Sequence, residues 1–124
     1  VLFQLNDDIW QPGLLPLDLM LSDTNGDVAG VDVPAHPLFE GVGSLRKVTC
    51  YDTITCAAPE WKVLARDSAG GPAILEATAG KGRILVVEPS LDRIAAGAEV
   101  APDGVSADDC RRFIANLARW AGGS

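Results

Sequence analysis

PAILEATAGKGRILVVEP, residues 72–89, decides how the rest of the chain must be arranged. Two apolar runs flank Gly80-Lys81-Gly82, whose glycines reach the positive φ angles of a tight reversal while Lys81 stays in water, so the stretch reads as a β-hairpin. In the second arm both side-chain parities are apolar: Ile84 and Val86 share one, Leu85 and Val87 the other. Such a strand is covered on both faces and belongs in the middle of a sheet. Pro89 cannot continue the ladder, and Glu88, Ser90, Asp92 and Arg93 gather at the strand's carboxyl end. In open α/β sheets that end is where ligands bind, which makes these four residues the first candidate site.

The 124 residues suit one domain, with 48% hydrophobic and 22% charged residues, an ordinary globular composition. The formal net charge of -7, with Lys and Arg scattered rather than striped, argues against a nucleic-acid partner. No apolar run approaches the ~20 residues that span a bilayer, so no membrane partner is expected. Three cysteines and one histidine make neither a disulfide framework nor a zinc site, and no cofactor is implied. Cys50 and Cys56 stand where a hairpin through YDTIT would bring them face to face, so either one disulfide or two free thiols is compatible with the spacing. Cys110 falls on the apolar face of the last helix.

The opening VLFQL reads as a buried strand, although VLFQ is also half of a tag-removal sequence that would continue Gly-Pro rather than Leu5. A domain that begins on a buried strand implies that something precedes it. Asn6-Asp7-Asp8 then either caps a short helix through Ile9 and Trp10 or supplies three acceptors to a cation. Asn25-Gly26 is a hairpin signal between two apolar runs. Asp23, Asn25 and Asp27 also occupy the first alternate positions of a calcium loop, but Val28 and Pro34 stand where that loop needs Gly and Glu.

His36 lies between Pro34 and Pro37, in an extended stretch that leads to a short turn through Leu38 and Phe39 closed by Gly41. As a general base it has no nucleophile beside it; as a structural residue its ring nitrogens would bond to backbone groups. Residues 45–57 and 61–66 read as further strands, and Asp67 to Gly71 as the turn that enters the central hairpin. The final helix starts at the N-cap Ser106, with Asp109 three residues on. Cys110, Phe113, Ile114, Leu117, Ala118 and Ala121 form its apolar face, with Asn116 pointing outward and Trp120 covering the core's edge.

His36-Pro37-Leu38 with Gly41, then Trp61-Lys62-Val63-Leu64-Ala65, Ala79-Gly80-Lys81-Gly82-Arg83-Ile84 and Asn116-Leu117-Ala118-Arg119-Trp120-Ala121 together resemble the C-terminal half of class I glutamine amidotransferase-like domains, in the trehalose-utilisation (ThuA-like) flavour. The resemblance implies a flavodoxin-like α/β fold: a mostly parallel sheet with an antiparallel extension, a C-terminal helix, and a further βαβα half ahead of VLFQL. It also implies a setting in a carbohydrate-related multidomain protein. Catalytic members place a His-Pro-Glu segment at a late strand end and a Cys on a glycine-flanked elbow; here the strand end reads Glu88-Pro89-Ser90, and no Cys has elbow context.

Two functions of different classes follow. One is a non-catalytic module that binds a small molecule or carbohydrate, or a companion polypeptide or second copy through an open sheet edge. Its candidate ligand-binding residues are Glu88, Ser90, Asp92, Arg93 and His36. The other is a hydrolase or transferase that divides acid and base roles between Glu88 and Asp92, with Arg93 holding an anion.

Overall fold

The computed structural model describes residues 2–3, 19–22, 24–79 and 82–122. Its strands are β1 (Leu2–Phe3), β2 (Leu19–Ser22), β3 (Gly26–Val31), β4 (Thr49–Cys50), β5 (Thr53–Ala57), β6 (Lys62–Asp67), β7 (Pro72–Ala79) and β8 (Gly82–Val87). The helices are α1 (Leu91–Ala95) and α2 (Ala107–Gly122), with a 3-10 turn at Pro37–Phe39. The main sheet runs β1-β8-β7-β6-β3-β4, and β2 and β5 form a separate pair.

The central hairpin forms as its sequence requires. β7 and β8 pair antiparallel without a shift from Ile74↔Val87 to Ala79↔Gly82, while Gly80 and Lys81 at its tip lie outside the described residues. β8 is flanked on its other side by β1. Its two apolar parities enter two different cores. Leu85 and Val87 pack with Leu91, Ile94, Cys110, Phe113 and Leu117 under the helices. Val86 packs with Leu19, Ile54, Trp61 and Leu75 beneath the β2–β5 pair, with Ile84 partly buried at its margin. The main sheet is thus the middle layer of three.

The mostly parallel, flavodoxin-like α/β sheet expected above is overturned. β1–β8 is the parallel pairing among the described residues, and the other pairs are antiparallel. For β6, β7 and β8 the cause is connection length: parallel neighbours need a crossover of about a dozen residues or more, whereas only residues 68–71 and 80–81 separate these strands. The first turn is built by Asp67, whose Oδ1 accepts from the Ala69 and Gly71 amides at 3.0 and 2.9 Å, with Gly70 at φ +89°.

Two local expectations also change. Asn25-Gly26 does not close a hairpin: β2 pairs with β5 in the second sheet, and β3 pairs with β6 and β4 in the first, so the chain changes layer there. A side chain at Gly26 would place its Cβ 2.9 Å from Thr53 Cγ2, so any other residue at the crossing would have to displace that methyl. β4 and β5 likewise do not pair with each other; Cys50 sits opposite Gly26 and Cys56 opposite Met20. Cys50 is free and buried. The opening strand is described at Leu2 and Phe3 only; Asn6, Asp7, Asp8, Ile9, Trp10 and Asp23 lie outside the described residues.

α2 begins as expected, with Ser106 Oγ accepting the Asp109 amide at 3.0 Å. Asp109 reaches further, to the Gly43 amide at 2.8 Å, which ties the helix start to the 41–46 loop. That bond is the main reason the Asp109 carboxyl is held below its ordinary value. Cys110, Phe113 and Leu117 are buried, but Ala118 and Ala121 are exposed. Asn116, expected outside, is only 2% exposed and donates to the carbonyls of Leu38 and Glu40 at 2.9 and 2.8 Å.

Candidate functional site

The far edge of the main sheet bends back to the end of β8. β4 pairs with β3 through Gly26↔Cys50 and Asp27↔Thr49, and Cys50 also bridges Pro89, just past β8. The Ser90 amide then donates to the Thr49 carbonyl at 2.9 Å. A crevice at strand ends requires an open sheet, and this curl fills the place where it would lie.

The side chains there are accordingly enclosed. Glu88 is 1% exposed and Ser90 0%, and the Glu88 amide donates to the Ala73 carbonyl at 3.0 Å. Ser90 stands at the N-cap of α1, but its hydroxyl donates to Glu99 Oε2 instead of capping the helix. Glu99 Oε1 accepts the Tyr51 hydroxyl and lies 3.5 Å from Arg93 Nε. One carboxylate therefore gathers a serine, a tyrosine and an arginine, and pins the loop after α1 across the strand end. The hydrogen bond to Glu99 also raises the Tyr51 phenol above its ordinary value. Asp92 faces elsewhere, half-buried along a shallow groove between α1 and α2 that Arg111 and Leu117 also line.

Neither described thiol is a nucleophile in this setting. Burial, with the nearby Glu88, Asp67 and Asp27 charges adding to it, pushes Cys50 up to about 12. Burial, together with Asp109, pushes Cys110 up to about 11. Both remain protonated near neutral pH.

His36, the fifth candidate, belongs to a different place. Its Nδ1 accepts the Leu38 amide at 3.2 Å, which leaves the ring proton on Nε2, and Nε2 donates to Glu76 Oε1 at 3.1 Å. Both nitrogens are thereby engaged, one with backbone and one with a carboxylate. Glu76 is opposite Leu85, three residues before Glu88, so this group lies roughly 10 Å along the strand from the Glu88 end. The candidates thus fall in three places, with Glu88, Ser90 and Arg93 at the strand end, Asp92 in the groove between the helices and His36 in neither.

Around His36 the sheet's helix-side face runs out beyond the end of α2. Lys62 is opposite Glu76, and Thr78 is opposite Arg83; directly paired and alternate residues share a face, the one on which Leu85 meets the helices. Trp120 closes this corner. The Arg83 guanidinium lies 4.1 Å from the indole centroid, and its Nη2 donates to the Trp120 carbonyl at 2.9 Å. These groups, with Glu60 and Pro37, line a pocket of about 390 Å³. Sequence reasoning placed Lys62, Glu76 and Arg83 on strands without assigning them a site, because their convergence depends on strand register. Glu99 was missed for a related reason: it sits in a loop with no period or motif of its own.

Among the described residues no group of His, Cys, Asp and Glu is arranged to hold a metal ion, and no helix is long and apolar enough to cross a membrane. Compared with known proteins, the chain matches no family model, no curated protein and no solved structure.

Proposed function

We propose that this chain is a non-catalytic module that binds a small ligand. The observation that carries the reading is that the Glu99 network covers the carboxyl end of β8, with Ser90 and Glu88 buried beneath it, while the pocket around Lys62, Glu76 and Arg83 stays open. A group that attacks or protonates a substrate must come within hydrogen-bond reach of it, and these two have no surface through which to do so. Protonated thiols and an imidazole engaged at both nitrogens support the same conclusion. Kinship with amidotransferase-like domains remains a proposal resting on the motifs quoted above, and the binding reading does not depend on it.

The test is a thermal-shift and native-mass screen of small sugars, amino acids and carboxylates, run beside hydrolase assays on ester, amide and glycoside substrates. A saturable rise in Tm with no turnover is expected, since a ligand at 100 times its Kd adds about 2.7 kcal/mol to stability. A turnover that disappears in Glu88→Gln, with Tm unchanged, would overturn the proposal in favour of carboxylate catalysis at the strand end.

A further inference from the structure

We infer that the corner pocket between β6, β7, β8 and the end of α2 takes a small dipolar molecule carrying both a carboxylate and an ammonium group, of the size of an amino acid or dipeptide. This rests on the binding-module reading and names its site.

The pocket's charge is balanced within a strongly acidic chain. Lys62 and Arg83 oppose Glu60 and Glu76, against a formal -7 for the whole. A simple anion entering here meets two carboxylates, and a simple cation meets two bases; a ligand with separated charges satisfies both pairs.

The four groups are not equally occupied. Arg83 is held on the Trp120 ring and carbonyl, and Glu76 is held by His36. These two are fixed in advance, so little side-chain freedom is lost when a ligand arrives. Lys62 and Glu60 are exposed, and among the described residues their side chains make no hydrogen bond or ion pair. Lys62 even stands directly opposite Glu76 in the sheet, yet no ion pair joins them. One fixed and one available member of each sign is a two-point clamp: carboxylate to Arg83 and Lys62, ammonium to Glu76 and Glu60. The volume of about 390 Å³ lies near the lower end for small-ligand pockets, which limits the ligand to about dipeptide size.

The probe is glycyl-L-alanine, titrated into ¹⁵N-labelled protein, with acetate, methylammonium and the doubly blocked N-acetyl-glycyl-alanine methylamide as controls. Saturable amide shifts at Lys62, Thr78 and Arg83 and at the Trp120 indole are expected from the dipeptide, and none from the controls. Lys62→Met and Glu60→Gln each remove one charge-assisted contact at an exposed position and should weaken binding about tenfold or more. The exchange Glu60→Lys with Lys62→Glu keeps both charges and should restore much of the loss. No shift at these residues, or an equal response to the blocked peptide, would overturn the inference. If another small molecule binds while the dipeptide is inert, only the ligand class falls. A turnover lost in Glu88→Gln would instead overturn the module reading beneath it.

Discussion

Asn116 donates its Nδ2 hydrogens to the Leu38 and Glu40 carbonyls, while its Oδ1 accepts from Arg119. The Leu38 carbonyl lies within the 3-10 turn that His36 caps and the Glu40 carbonyl just after it, so one amide fastens the pocket wall to α2. Asn116→Leu would leave two carbonyl oxygens without their donor; a loss of about 2–4 kcal/mol is expected, measured by urea denaturation. The thiols give a second prediction at this scale. Cys50 has a folded-state value near 12 against an unfolded 9.0. Because the unfolded chain releases that proton first, the associated stability is complete below pH 9 and is lost as pH rises toward 12. Denaturation midpoints across that range should fall, and in a Cys56→Ser background no thiol should react with a disulfide reagent until the protein unfolds.

At the scale of elements, α2 depends on its first turn. Ser106→Ala removes the acceptor for the Asp109 amide and should cost about 1 kcal/mol by thermal or chemical denaturation. Asp109 has its carboxyl held below the ordinary 3.8 chiefly by the Gly43 amide. Its contribution is therefore present above pH 3.8 and is lost as pH falls through the lower folded-state value, so Asp109→Asn should flatten the acid limb of the stability curve. β8 offers a different test, because its neighbouring residues enter different cores. Leu85→Ala should cost about 2–5 kcal/mol. Val86→Ala, on the opposite face, should cost about 1.5 kcal/mol or more. A strand buried on one face alone would show only one of these losses.

Across the whole molecule, the curl of the main sheet decides where chemistry is possible. Cys50 meeting Pro89, and Glu99 gathering Tyr51, Ser90 and Arg93, close one end of β8, while the end of α2 leaves the other end partly open around Lys62, Glu76 and Arg83. Glu99→Ala should release the loop after α1 without unfolding the cores. The expected result is faster hydrogen exchange and proteolytic nicking within 96–105, with the exchange of β7 and β8 amides unchanged. Loss of protection in β8 as well would show that the network supports the sheet rather than only covering it.

The sequence alone determined what short-range physics controls. Alternation of apolar parities identified β8 as a strand covered on both faces, Asp67 with Gly70 and Gly71 marked a reversal, and Ser106 with Asp109 marked the start of α2. It also placed His36 at the head of a short turn. Strand partners were not legible in this way. Asn25-Gly26 carries the same local signal whether the chain folds back or changes layer, and nothing local says that Thr49 and Cys50 will reach Pro89. Asn116 was misread because a polar side chain on an apolar helix face is favourable only if distant carbonyls arrive to meet it. The tertiary structure alone decided that one strand end is sealed and that Lys62, Glu76, Arg83 and Trp120 share a pocket, because pairing and register are set by contacts between residues far apart in the chain.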